Sequence, residues 1–71
     1  MSRYLVIIEP SATGFAAYLP DLPGCVTTGR SQAEIEANMR EAIALNLEGM
    51  ETDGQPVPPP SSIATYVEVA A

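Results

Sequence analysis

Histidine, lysine and tryptophan are absent from this sequence, and there is a single cysteine, Cys25. Without histidine, the commonest acid–base group near neutral pH is missing and the usual zinc-binding spacings cannot be assembled. A lone cysteine cannot close an intrachain disulfide; together with the lack of an export signal it fits a reducing cytoplasm. Without lysine, three arginines (Arg3, Arg30, Arg40) stand against nine carboxylates, for a net charge of −6. Such a surface repels phosphate backbones and has few cations with which to release counterions, so direct nucleic-acid binding by this chain alone is not expected. A basic protein would be steered toward it, although excess charge also simply keeps a protein soluble. No apolar run is long enough to span a membrane. The opening stretch Met1–Glu9 is too short for the apolar core of a secretion signal.

What remains fits one small domain over residues 1–71. A domain of this size buries only roughly 60% of the surface its unfolded chain exposes. With neither disulfide nor metal to staple it, self-association is the expected extra source of burial, as a homo-oligomer (dimer or tetramer).

Residues 3–9 are β-branched and aromatic and stop at Pro10. Tyr4, Val6 and Ile8 alternate with Leu5 and Ile7, so both faces are apolar, as in a central strand covered on both sides. The turn-prone stretch 10–14 leads to a second, antiparallel strand over 15–19. Pro20-Asp21-Leu22-Pro23-Gly24 interrupts regular pairing, and Cys25-Val26-Thr27-Thr28 gives a short third strand ended by Gly29. Ser31-Gln32-Ala33-Glu34 has the pattern of a capping box, in which the Ser31 hydroxyl accepts from the Glu34 amide and the Glu34 carboxylate reaches back to the Ser31 amide. The helix it opens runs to about Glu51. Ile35, Met39, Ala42, Ile43, Asn46 and Met50 share one face, widened by Leu45 and Leu47, and acidic residues dominate the other. The proline-rich stretch 52–62 reads as a rigid extended spacer, and the alternation in Ile63–Val69 predicts a last strand. The expected architecture is a two-layer α+β domain, β-β-β-α-β, with one helix on one face of a small antiparallel sheet.

Little here points to catalysis. Asp21 sits in a proline-bounded loop, where an aspartate more often accepts backbone N–H bonds from its own turn than acts as an acid. Cys25 has no base beside it and reads as a buried small hydrophobe. A carboxylate-based hydrolase on Asp21 and Glu9 ranks last among the readings. No enzyme activity, cofactor or metal is expected. Two features hint at contacts instead. Glu34, Glu41 and Glu48 recur every seven residues along one helix flank, and Asn46 interrupts the apolar stripe.

The segment Leu19-Pro20-Asp21-Leu22-Pro23-Gly24-Cys25-Val26-Thr27-Thr28-Gly29, the Ser31 cap, the mid-helix run Asn38-Met39-Arg40-Glu41-Ala42-Ile43 and the tail Gly54-Gln55-Pro56-Val57-Pro58-Pro59-Pro60-Ser61 resemble, in order and spacing, the signature of HicB-like antitoxins. The resemblance covers about residues 4–61. It implies a partial ribonuclease-H-like fold without the acidic metal cluster of true ribonucleases H. It also implies a partner: a small basic HicA-type toxin, an mRNA-cleaving ribonuclease neutralised by being covered. Many members carry a C-terminal DNA-binding domain; the sequence leaves no room for one before Ala71, so none is expected. Candidate partner contacts are Asp21, Leu22 and Pro23 in the loop and Glu34, Glu41 and Glu48 on the helix. The alternative is a stand-alone oligomeric domain with a structural or small-ligand role and no toxin.

Overall fold

The computed structural model of the chain describes residues 2–70. Three strands, β1 (Ile7–Ser11), β2 (Gly14–Tyr18) and β3 (Val26–Gly29), precede one helix, α1 (Gln32–Thr52). The sheet order is β1-β2-β3 and both pairings are antiparallel. This is the expected α+β arrangement, with a helix against one face of a small sheet.

Register explains the two faces. Ile8, Ala17 and Thr27 align across the sheet, as do Ile7, Tyr18 and Val26. Side chains opposite one another in an antiparallel ladder point the same way. Ala17 is buried beneath the helix, which sends Tyr18 and Val26 to the open face. The core is small: Ala17, Leu19, Leu22, Cys25, Ile35 and Met39.

β1 departs from expectation twice. Its ladder begins at Ile7, because the residues that would pair with Tyr4–Val6 are Leu19, Pro20 and Asp21, where the chain leaves the sheet. It continues through Pro10, a residue tolerated on an edge strand because the missing N–H need not face a neighbour. β1 is therefore an edge strand, not a central one. The helix lies over β3 and, less closely, β2, so Val6 and Ile8 are only half-buried.

The helix begins as the cap predicts. The Glu34 amide donates to the Ser31 hydroxyl at 3.1 Å. The return contact is shifted by one residue: the Glu34 carboxylate accepts from the Arg30 amide at 3.4 Å, not from Ser31. Asn38 then ties the helix to the sheet by donating to the Thr28 carbonyl at 2.9 Å. Gly29 is required at this junction, since a Cβ there would lie 2.9 Å from both Cβ and N of Ile35. The helix ends in a Schellman motif. Gly54, at φ +69°, lets its own N–H reach the Glu51 carbonyl (3.1 Å) and the Gln55 N–H reach that of Met50 (2.9 Å). Of the predicted apolar stripe, Ile35 and Met39 are buried, and Ala42, Ile43, Leu47 and Met50 are partly so. Leu45 turns to solvent. Asn46 Oδ1 is buried without a hydrogen-bond partner among the described residues, which costs roughly 1–3 kcal/mol.

The expected fourth strand is not formed. Residues 63–70 pair with nothing in the sheet and are exposed throughout. The proline-rich stretch before them crosses from the helix end back to the sheet, where the Tyr4 hydroxyl donates to the Pro58 carbonyl at 2.7 Å.

Candidate functional site

The loop between β2 and β3 places three apolar side chains, Leu19, Leu22 and Cys25, at intervals of three. All three are buried. Two consecutive turns achieve this: the Leu22 amide donates to the Leu19 carbonyl (3.4 Å) and the Cys25 amide to the Leu22 carbonyl (3.1 Å). Pro23 followed by Gly24 at φ +85° fits a type II turn. The loop thus serves as a plug in the core. Leu22 is 0% exposed and presents no surface, whereas Pro20, Pro23 and Gly24 are exposed.

Asp21 does something that a local reading misses. Among the described residues it accepts no bond from its own turn. Its carboxylate takes four hydrogen bonds from residues some forty positions away: Oδ2 from the amides of Ser61 (2.9 Å) and Ser62 (3.0 Å), Oδ1 from their hydroxyls (3.1 and 2.7 Å). The loop is therefore latched to the segment that follows the prolines. The backbone N–H of Ser62, then that of Ser61, then the Ser62 hydroxyl hold the Asp21 carboxyl at a pKa of about 2, below the ordinary 3.8; partial desolvation opposes them weakly. The sign follows directly. The depressed pKa means the latch contributes in full above pH 3.8 and is lost as pH falls through about 2. Asp21→Asn should open it at neutral pH, because the amide offers one acceptor oxygen where the carboxylate offers two. Protection factors of the Ser61 and Ser62 amides, taken relative to the intrinsic exchange rate at each pH, should fall in that variant at neutral pH and in wild type at about pH 2; unchanged protection in both cases would contradict the latch.

The other candidates are spread out. Glu34, Glu41 and Glu48 are all exposed along one flank of α1, and the structure does not bring them to the Asp21 loop. On the sheet face away from the helix, Tyr18 and Val26 stand exposed beside half-buried Ile7. This apolar row is a feature that sequence reasoning does not single out; once the register is known, the alternation in β2 and β3 reveals it. The Cys25 thiol is pushed up by burial and lies 4.0 Å from the Met39 sulfur, so it is held as a neutral thiol in the core. Among the described residues no group of three or more acidic or cysteine side chains converges as metal ligands would. No helix among them is long and apolar enough to cross a membrane.

The fold and site define a small α+β domain in which an acidic helix lies on a three-stranded sheet and a Pro-Asp-Leu-Pro-Gly-Cys loop, anchored in the core by Leu22 and Cys25, is latched to a Pro-Ser tail. Residues 4–70 match the model of the HicB-like antitoxins of bacterial toxin–antitoxin systems, and the chain belongs to that family. A chain in the solved HicA3 and HicB3 toxin–antitoxin complex is 37% identical and superposes with a TM-score of 0.74, over 83% of this chain and 70% of that one. An uncharacterized 14.9 kDa protein in the rep-hol intergenic region of Haemophilus phage HP1 is 34% identical over 64 residues, which is 90% of this chain and 48% of that protein. A UPF0150 protein of Helicobacter pylori is 43% identical over 47 residues, 66% of this chain and 65% of its own. The chain thus spans about half the length of the phage relative and about two thirds of the bacterial one.

Proposed function

We propose that this chain acts as an antitoxin: it binds a small basic HicA-type ribonuclease toxin and neutralises it by covering part of its surface. The proposal places it in the cytoplasm as a single binding domain, with no catalysis and no cofactor of its own. The observation that carries the reading is the likeness, at 37% identity, to a chain of a toxin–antitoxin complex, reinforced by the family match over residues 4–70. The physical basis is charge. At −6, the chain attracts a basic partner at long range. The contacts proposed are Glu34, Glu41 and Glu48 on the exposed helix flank and Pro23 at the loop tip. Asp21 would contribute by holding the loop and tail together, since its carboxylate is already occupied. Leu22 would support the loop from within the core.

Co-expression with a small basic HicA-type toxin tests the reading. Induction of that protein alone should arrest growth by cleaving mRNA, and induction of both should restore it. Continued arrest in cells that accumulate the folded chain would overturn the proposal.

A further inference from the structure

An acidic flank and a proline at a loop tip do not by themselves make a tight interface. Exposed ion pairs speed the formation of a complex more than they hold it together. A complex that keeps an enzyme covered also needs a desolvated apolar centre, where tyrosine is favoured and glutamate is not. On α1 the one large apolar side chain exposed among the described residues is Leu45.

The sheet face turned away from α1 has the missing character. Ile7, Tyr18 and Val26 form one row across the three strands, and Glu9, Ala16 and Thr28 form the next row on the same face. An antiparallel sheet with a free face ordinarily turns polar side chains to water there; Ile7, Tyr18 and Val26 break that alternation. Tyr18 is 42% exposed and Val26 65%, and a shallow groove runs past them along Ala16 and Thr28. No second helix or strand among the described residues packs on this face. The row is also continuous with the loop tip. Tyr18 and Val26 are the last paired residues before the chain leaves the sheet for the loop, where Pro20, Pro23 and Gly24 are exposed. Leu22 anchors that loop in the core and Asp21 latches it to the tail. Row and loop tip thus form one preorganised surface, which costs little to order on binding.

We propose that this row is the apolar centre of the toxin interface, with Tyr18 and Val26 as its anchors and Pro23 at its margin, while the acidic flank of α1 contributes mainly by steering. The inference rests on the antitoxin reading. Charge decides the occupant. The six side chains of the two rows include one carboxylate, Glu9, and no cation, so a nucleic acid finds nothing here to neutralise its phosphates. A second copy would bring a net charge of −6 against −6, whereas a basic protein is drawn toward the surface.

Tyr18→Asp and Val26→Asp, made separately, tell steering from contact. Each adds one negative charge to the net −6, so attraction of a basic partner is kept or strengthened, yet each places a carboxylate in the centre of the complex, where it is stripped of water. Dissociation from a small basic HicA-type toxin should accelerate by about tenfold or more in each variant, with association no slower than in wild type. Both side chains are exposed, so the fold should survive, and urea unfolding verifies it. In the wild-type chain, which no substitution perturbs, cross-saturation from the toxin should reach the methyl groups of Ile7 and Val26. A wild-type chain that does not bind the toxin overturns the antitoxin reading and this surface together. The sheet face alone is overturned, and the antitoxin reading stands, if the wild type binds and both folded variants dissociate at the wild-type rate, if cross-saturation is confined to the Leu45 methyls on α1, or if the variants disturb only an association of the chain with itself.

Discussion

Replacing Ile35 by alanine is expected to cost about 3 kcal/mol, within the 2–5 kcal/mol typical of truncating a fully buried isoleucine. Ile35 is 0% exposed and meets β3 where the helix comes closest to the sheet, against Gly29. The six buried residues leave few neighbours able to close a void. A chain of this length has a total stability of roughly 4–10 kcal/mol, so the loss is a third or more of the whole. Gly29→Ala should approach the same damage from the other side, at about 1–3 kcal/mol, because the added methyl meets the backbone and Cβ of Ile35 rather than a flexible side-chain end. Urea unfolding checks both: the midpoint should fall with the slope unchanged. A loss below about 1 kcal/mol for Ile35→Ala would contradict the core described above, being far under the range for such a truncation.

Reversing Glu34, Glu41 and Glu48 together to lysine should slow association with a basic toxin by about 10- to 100-fold at low salt. The substitutions bring the net charge from −6 to zero and act on side chains that are exposed. Folding should survive them. Ser31 still accepts from the backbone amide of residue 34, and only the 3.4 Å contact from the Arg30 amide is given up. Stopped-flow association at increasing salt checks the prediction. The gap between variant and wild type should narrow as the Debye length shrinks from about 10 Å at 0.1 M to about 3 Å at 1 M. An equal defect at all salt concentrations would point to a disrupted fold or a direct contact in place of steering.

Much of the molecule was legible from short-range chemistry. The Ser31 cap, the helix and its buried residues Ile35 and Met39, the hairpin around residues 11–14 and the short third strand all follow from neighbours within a few positions. The misreadings concern relations across the chain. Alternation showed that Val6 and Ile8 share a face, but the offset of α1 toward β3, which makes β1 an open edge, leaves no trace in local sequence. Turn propensity is local and points Asp21 to its own turn; its actual partners, Ser61 and Ser62, lie forty residues on. Leu22 looked like a loop residue free to meet a partner, yet its spacing of three from Leu19 and Cys25 was the available sign that all three turn inward. The alternation of Ile63–Val69 is that of a strand, yet no strand forms there, because pairing depends on an edge that sequence cannot locate.

The central claim is that this acidic domain holds a basic ribonuclease. Calorimetric titration of the purified chain into a small basic HicA-type toxin, followed by an mRNA-cleavage assay on the same mixture, tests it most directly. The account predicts a saturable complex that weakens with salt and in which cleavage stops. A correctly folded chain that gives no heat of binding at low salt and leaves cleavage untouched would contradict it.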